Sequence, residues 1–211
     1  MPDADPERLR SVFQEAVTLG FLGPAPLATQ LDHARGFVAV LRPAHRLVDL
    51  GSGGGLPGLV LAAERPDWTV VLLDASETRT DFLRRAVGRL GWADRVEVVM
   101  ARAEVLGRDP AWRGGQDAVV ARSFGRPAAT AECAAPLLRV GGQLVVSEPP
   151  AGGSDRWPAG PLARLGLVRD AGGDPTYASF TQSRPCPPAF PRRRMAPPLF
   201  HVERHQDGRR P

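Results

Sequence analysis

The chain predicts an α/β fold built on a doubly wound, largely parallel sheet. Three observations carry that expectation. From Arg46 onward, short apolar runs alternate with stretches of helical periodicity, the pattern of successive βαβ units. A glycine-rich turn, Gly51-Ser52-Gly53-Gly54-Gly55, separates the first run from the first such helix. Two late extended stretches, 165–170 and 176–182, flank the turn Ala171-Gly172-Gly173-Asp174-Pro175. They close the sheet with an antiparallel hairpin and bring it to seven strands.

Each element has a local reason. Asp5-Pro6-Glu7 combines a cap, a helix-start proline and a first-turn acid, all signals of a helix beginning. Leu9, Val12, Phe13, Ala16 and Val17 then recur at helical spacing, and Gly20 supplies the stop. A second helix is predicted over 27–41, with Leu31, Ala34, Phe37, Val38 and Leu41 on one face. These two helices form an N-terminal cap, 1–45. Strands are predicted at 46–50, 69–74, 95–100, 117–121 and 143–147, with helices at 56–64, 77–90 and 126–138. A Pro- and Gly-rich loop covers 149–161. The core is expected to span 46–184. Residues 185–211 form a basic Pro/Arg-rich tail that runs extended over the surface.

The glycine loop carries the chemistry. Leu47-Val48-Asp49-Leu50 reads as a buried strand and Leu56-Pro57-Gly58 opens the next helix. Glycines at such a turn let the backbone bend sharply or lie against a ligand, and the helix behind it presents unpaired N–H groups. A phosphate-binding P-loop needs a lysine, and the chain has none. Two spellings remain. Gly53-x-Gly55-x-x-Gly58 fits a dinucleotide fingerprint, with Asp74 placed 21 residues beyond Gly53. Asp49-x-Gly51-x-Gly53-x-Gly55 fits the S-adenosylmethionine (SAM) loop of class I methyltransferases. There, an acid ending the second strand meets the ribose hydroxyls, and Asp74 ends Thr69-Val70-Val71-Leu72-Leu73. The closing hairpin favours SAM.

Composition narrows the class. The 211 residues suffice for one α/β core. No apolar run is long enough to span a bilayer, and the acidic start lacks the order of a signal peptide. Cys133 and Cys186 are too few and too distant for a disulfide framework. A cytoplasmic location is expected. The formal net charge is only +4, but 184–211 holds seven arginines against Glu203 and Asp207. A basic tail on a near-neutral body suits an anionic partner such as RNA.

Two further stretches end strands at the carboxyl edge, where ligands of such folds bind. Ala101-Arg102-Ala103-Glu104 follows the third strand, placing backbone groups where an adenine ring would sit. Arg122, in Ala121-Arg122-Ser123-Phe124, is placed to meet a SAM carboxylate or an RNA phosphate through a forked contact. His201 and His205 share a spacing, but Val202 stands where a zinc-hydrolase helix needs Glu, so no metal is expected. No serine or cysteine motif marks a nucleophile.

Together these pieces resemble the RsmG (GidB) family of small-subunit ribosomal RNA guanine-N7 methyltransferases. The resemblance rests on Leu47 through Gly58, Leu72-Leu73-Asp74-Ala75-Ser76 with Arg79 and Phe82-Leu83, Arg102-Ala103-Glu104, Ala121-Arg122-Ser123-Phe124 and Phe190-Pro191-Arg192-Arg193. It implies a SAM-dependent enzyme acting on ribosomal RNA or the small subunit, with no membrane and no metal. Cofactor contacts are implied at Asp49, Gly51, Gly53, Gly55, Leu56, Asp74, Ala103, Glu104 and Arg122. RNA contacts are expected at Arg122, Arg192, Arg193 and Arg194. The chain departs from the family before the glycine loop, where it keeps at best Leu31-Asp32 of a His-x-x-Asp-Ser-Leu stretch. It departs again after the fifth strand, where Glu148-Pro149 replaces Lys-Gly. Both departures lie on the substrate side and leave open a small-molecule acceptor or a non-catalytic paralogue.

Overall fold

The computed structural model describes residues 5–149 and 156–201. Its elements are α1 (Pro6–Thr18), α2 (Leu27–Val40), β1 (Arg46–Leu50), α3 (Gly58–Glu64), β2 (Thr69–Asp74), α4 (Glu77–Leu90) and β3 (Val96–Met100). There follow α5 (Ala103–Leu106), β4 (Gln116–Ala121), α6 (Pro127–Ala134), β5 (Leu138–Ser147), α7 (Ala159–Leu165), β6 (Leu167–Arg169) and β7 (Tyr177–Gln182). The seven strands form one sheet in the order β3-β2-β1-β4-β5-β7-β6. β1 through β5 pair in parallel, and β7 runs against both β5 and β6. The order reverses between β1 and β4, so a crevice opens there beyond the carboxyl ends of the strands.

Both sheet faces are covered, which is why the central strands read as nearly continuous apolar runs. Leu47, Val70, Leu72, Ala118 and Val120 face one core, shared with Phe13 of α1, Phe37 of α2 and Phe82 of α4. Val48, Leu50, Val71, Leu73 and Val119 face the other, shared with α6, α7 and the tail. Asp5 caps α1 by accepting from the Glu7 and Arg8 N–H groups, as its sequence position indicates.

Several boundaries differ from the sequence expectation, three of them for a reason visible in the structure. α3 starts at Gly58 rather than 56, because the Asp49 carboxylate reaches from β1 to accept the Gly58 N–H at 2.9 Å. α6 stops at Ala134, ahead of Pro136, which has no N–H to continue a helix. β5 begins at Leu138, five residues early. Its register against β4 shifts between Gln116 and Ala118, and Gly141 takes a positive φ of 80°. A Cβ on Gly142 would lie 3.1 Å from the carbonyls of Gln116 and Asp117. A Gly-Gly step that looks like a break is thus a bulge.

The tail is not a loose extension. Cys186, Phe190 and Phe200 are buried in the second core. Arg113 donates to the carbonyls of Cys186, Pro187 and Phe190, and Arg108 to those of Pro191 and Arg192.

Candidate active site

At the carboxyl edge of the sheet, two adjoining hollows of about 160 and 180 Å³ share Gly51, Arg79 and Ser123. The first is also lined by Gly53, Leu56 and Arg122, the second by Asp74, Ala103 and Phe124. Gly51 and Gly53 have φ of 75° and 54°, a left-handed conformation that glycine adopts without strain. A Cβ on Gly51 would lie 2.6 Å from the Phe124 ring. Asp74 ends β2 at the cleft. Its oxygens accept the Gly53 N–H and the Ser76 N–H, each at 2.9 Å, and a carboxylate so engaged keeps lone pairs for further donors. Ser123 is the one described non-glycine residue with positive φ, 56°, and it turns the chain so that Phe124 folds back on the loop.

A third, larger hollow of about 400 Å³ lies alongside and shares Gln30, Arg122 and Ser123 with the glycine-loop hollow. It is also lined by His33, Phe124, Glu148, Arg156 and Trp157. Arg122 therefore stands at the boundary between two compartments. Its Nη2 donates to the Gln30 amide oxygen at 2.7 Å, and its Nη1 is buried without a partner among the described residues. Burial lowers the Arg122 pKa, with the Asp49 carboxylate countering. Desolvation, reinforced by the Arg122 charge, also holds His33 below the usual imidazole value of 6.5, against a pull from Asp174.

Several site residues expected from the sequence do other work. Asp49 is fully buried and lies beneath the loop rather than on the cleft; it caps α3. Gly55 does not line the hollow either. Its φ of 92° makes the turn, and a Cβ there would lie 2.5 Å from Leu59. Glu104 sits next to Ala103 but pairs with Arg102 at 2.6 Å, a contact that lowers its pKa against the opposing effect of burial. Arg192 is removed from the set of free cations: both its Nε and Nη2 bind Glu132, at 2.8 and 2.7 Å. Arg193 and Arg194 are exposed, with no partner among the described residues. His201 is exposed and His205 lies outside the described residues. Among the described residues no group of His, Cys, Asp or Glu is arranged to hold a metal ion, and no helix is long and apolar enough to cross a membrane. Both cysteines are free and buried, with desolvation pushing Cys133 up to about 12 and Cys186 up to about 11.

Asp49 makes stability depend on pH. Burial pushes its carboxyl up to about 7, against the Gly58 hydrogen bond, from an ordinary 3.8. The folded state thus keeps a proton that the unfolded chain has released. Stability falls as pH rises between those two values and levels off above the higher one, by at most ~1.4 kcal/mol per pH unit from this group. Asp49→Asn should flatten that decline while leaving an oxygen to cap α3. Denaturant unfolding across this pH range checks it, and an unchanged slope in the variant would assign the decline to another group.

A family model described as rRNA small subunit methyltransferase G (GidB) matches residues 30–148. The chain belongs to this GidB family. The Ribosomal RNA small subunit methyltransferase G of Symbiobacterium thermophilum is 35% identical over 182 residues, 79% of this chain and 74% of that protein. Its namesake in Deinococcus radiodurans is 34% identical over 194 residues, 83% and 76% of the respective chains. Among solved structures, the O-methyltransferase from Bacillus cereus in complex with SAH superposes with a TM-score of 0.59 at 18% identity, covering 83% of this chain and 90% of that one. Cofactor-bound Rv0187 from MTB gives 0.57 at 22% identity, covering 85% and 90%. At such identities the likeness establishes the fold, that of class I SAM-dependent methyltransferases. The GidB-family chain is accordingly a methyltransferase.

Sequence reasoning missed Gln30, His33 and Arg156 in this GidB-family site. Gln30 had a legible signal: it is a lone amide on the stripe that continues through Ala34 and Phe37, all three buried. Arg156 had none. It is held by Glu148, whose other oxygen accepts the Trp157 Nε1–H at 2.7 Å. The acid standing where the family resemblance calls for a cation is thus neutralised by an arginine eight residues on, which itself lines the large hollow.

Proposed function

We propose that the chain transfers the methyl group of SAM to N7 of a guanine in small-subunit ribosomal RNA. One observation carries this reading: Arg122 lines both the glycine-loop hollow and a larger hollow bordered by an aromatic residue and a second arginine, Trp157 and Arg156. The residues present suit SAM. Asp74 offers acceptors for ribose hydroxyls, Gly51 and Gly53 clear room for the methionine portion, and Ala103 borders the hollow where the adenosine end would lie. The buried, unpartnered Nη1 of Arg122 is a donor whose desolvation a carboxylate would offset. SAM supplies an electrophilic methyl on a sulfonium.

Guanine N7 has a free lone pair, so no proton need be removed. The work of the chain is then alignment, and exclusion of water from the junction. Glu148, the acid in the large hollow, is tied to Arg156 and Trp157 and is not offered as a base. Paired RNA hides N7 in a deep groove, so the target guanine is unpaired or splayed out; Phe124, half-buried on the wall of the large hollow, provides a surface for it to stack on. In this reading α1 and α2 form a cap over 46–184, 185–211 serves the RNA side, and a ribosomal substrate places the enzyme in the cytoplasm.

Incorporation of labelled methyl from SAM into small-subunit RNA, mapped to one guanine, tests the reading. Transfer only to small metabolites, or none with SAM bound, would replace it with the corresponding alternative. The exposed Arg193 and Arg194 are assigned to the RNA backbone. Replacing both with Ala should reduce the slope of log affinity against log salt by about 0.7 for each phosphate no longer neutralised, with SAM affinity unchanged. An unaltered slope would remove the tail from the RNA interface.

A further inference from the structure

Gln30 occupies an unusual place in the hydrogen-bond network. It is 2% exposed and borders both the glycine-loop hollow and the larger one. Its Nε2 donates to the carbonyls of Gly23 and Ala25, at 2.9 and 2.8 Å. Its Oε1 accepts from Arg122 Nη2 at 2.7 Å. Carbonyls can only accept and a guanidinium can only donate, so the amide has one orientation that satisfies the network. Both of its N–H groups are used, and the oxygen has no choice but to face Arg122.

The two ends of this side chain hold different things. The Nε2 end holds the segment between α1 and α2, which lies over the glycine loop. There Leu22 approaches so closely that a Cβ on Gly54 would stand 2.7 Å from its Cδ2. Phe21 packs edge-on against Phe82, with centroids 5.5 Å apart, and the Phe21 N–H binds the Ala16 carbonyl at 2.9 Å. Phe21, Leu22 and Gly23 all line the glycine-loop hollow. The Oε1 end holds Arg122, which follows β4 and stands at the boundary with the larger hollow. With Nη2 committed to Gln30, the unpartnered donor of Arg122 is Nη1.

We infer that Gln30 is a positioning residue that couples the two hollows: it fixes the roof of the glycine loop with one end and the orientation of Arg122 with the other. This rests on the proposed reading, in which one hollow takes the cofactor and the other the acceptor. The two functions separate by substitution. Gln30→Glu keeps an acceptor, now charged, for Arg122 but has no N–H for the carbonyls of Gly23 and Ala25. Gln30→Leu removes both.

The experiment measures SAM affinity by calorimetry, thermal stability, and kcat and KM for methyl transfer to small-subunit RNA in the wild type and both variants. Gln30→Glu should weaken SAM binding about tenfold and lower kcat at saturating SAM less than Gln30→Leu does, because an acceptor for Arg122 remains. Gln30→Leu should weaken SAM binding at least as much and lower kcat further, because a freed Arg122 no longer sits correctly in the transition state. SAM affinity within about threefold of wild type in both variants would overturn the inference. So would equal loss of kcat in both, since that is what a purely structural residue produces. The SAM measurement needs no RNA. A wild-type enzyme that binds SAM but leaves the RNA unmethylated would therefore sink the acceptor assignment and leave the roof-holding role of Gln30 to be judged on affinity alone.

Discussion

Arg192→Ala should cost the fold about 3 kcal/mol, at the lower end of what removal of one partner from a buried ion pair costs. Glu132 is only 1% exposed, in the middle of α6, and Arg192 meets it with a fork: Nε to one oxygen, Nη2 to the other, and its own backbone N–H to the first again. The side-chain hydrogen bonds to Glu132 raise the arginine pKa. Removing the guanidinium strands a carboxylate among apolar neighbours. Because Arg192 is partly exposed, water can enter the gap, which keeps the loss toward the smaller figure. Arg192→Lys preserves the charge without the fork and should fall between. Denaturant unfolding measures all three proteins, and the double variant Glu132→Ala/Arg192→Ala should recover part of the loss. A single variant as stable as wild type would mean that the Glu132 fork adds nothing to the docking of the tail.

Asp74→Ala should weaken SAM binding by about 1.5–3 kcal/mol, the usual worth of hydrogen bonds to a charged group, and hence raise the dissociation constant about tenfold to a hundredfold or more. Two losses combine. In the proposed reading the ribose hydroxyls lose a carboxylate acceptor, and the Gly53 N–H loses the oxygen that ties the glycine loop to β2. Asp74→Asn retains one oxygen and should lie between. Calorimetric titration with SAM and, in parallel, with NAD checks the expectation. NAD binding in place of SAM would return the loop to the dinucleotide reading.

The sheet was legible nearly residue by residue because buried parallel strands have no polar face to confuse the pattern. β1 and β2 have the bounds expected, and the closing hairpin followed from the turn at 171–175. The two loop acids show where legibility ends. Both Asp49 and Asp74 read as cofactor-binding acids beside the glycine loop, but Asp49 pairs in register with Leu72, two residues short of Asp74. Those two residues of register separate a carboxylate under the loop from one on the cleft. Arg192 was illegible for a different reason. A run of three arginines looks solvated unless the acid that claims one of them is known, and Glu132 lies sixty residues away inside an apolar helix.

The manner of docking frees the tail's composition from its path. A proline-rich segment has few N–H groups to offer a sheet, so apart from the Arg192 contacts with Glu132 the body supplies the donors, from Arg108 and Arg113, and takes carbonyls in return. Every amino acid has a carbonyl. Positions 186–192 can therefore drift in sequence while following the same course, apart from the few side chains that enter the core or meet Glu132. The requirement falls instead on two arginines far upstream, Arg108 and Arg113. A segment so held can be rewritten without being re-anchored.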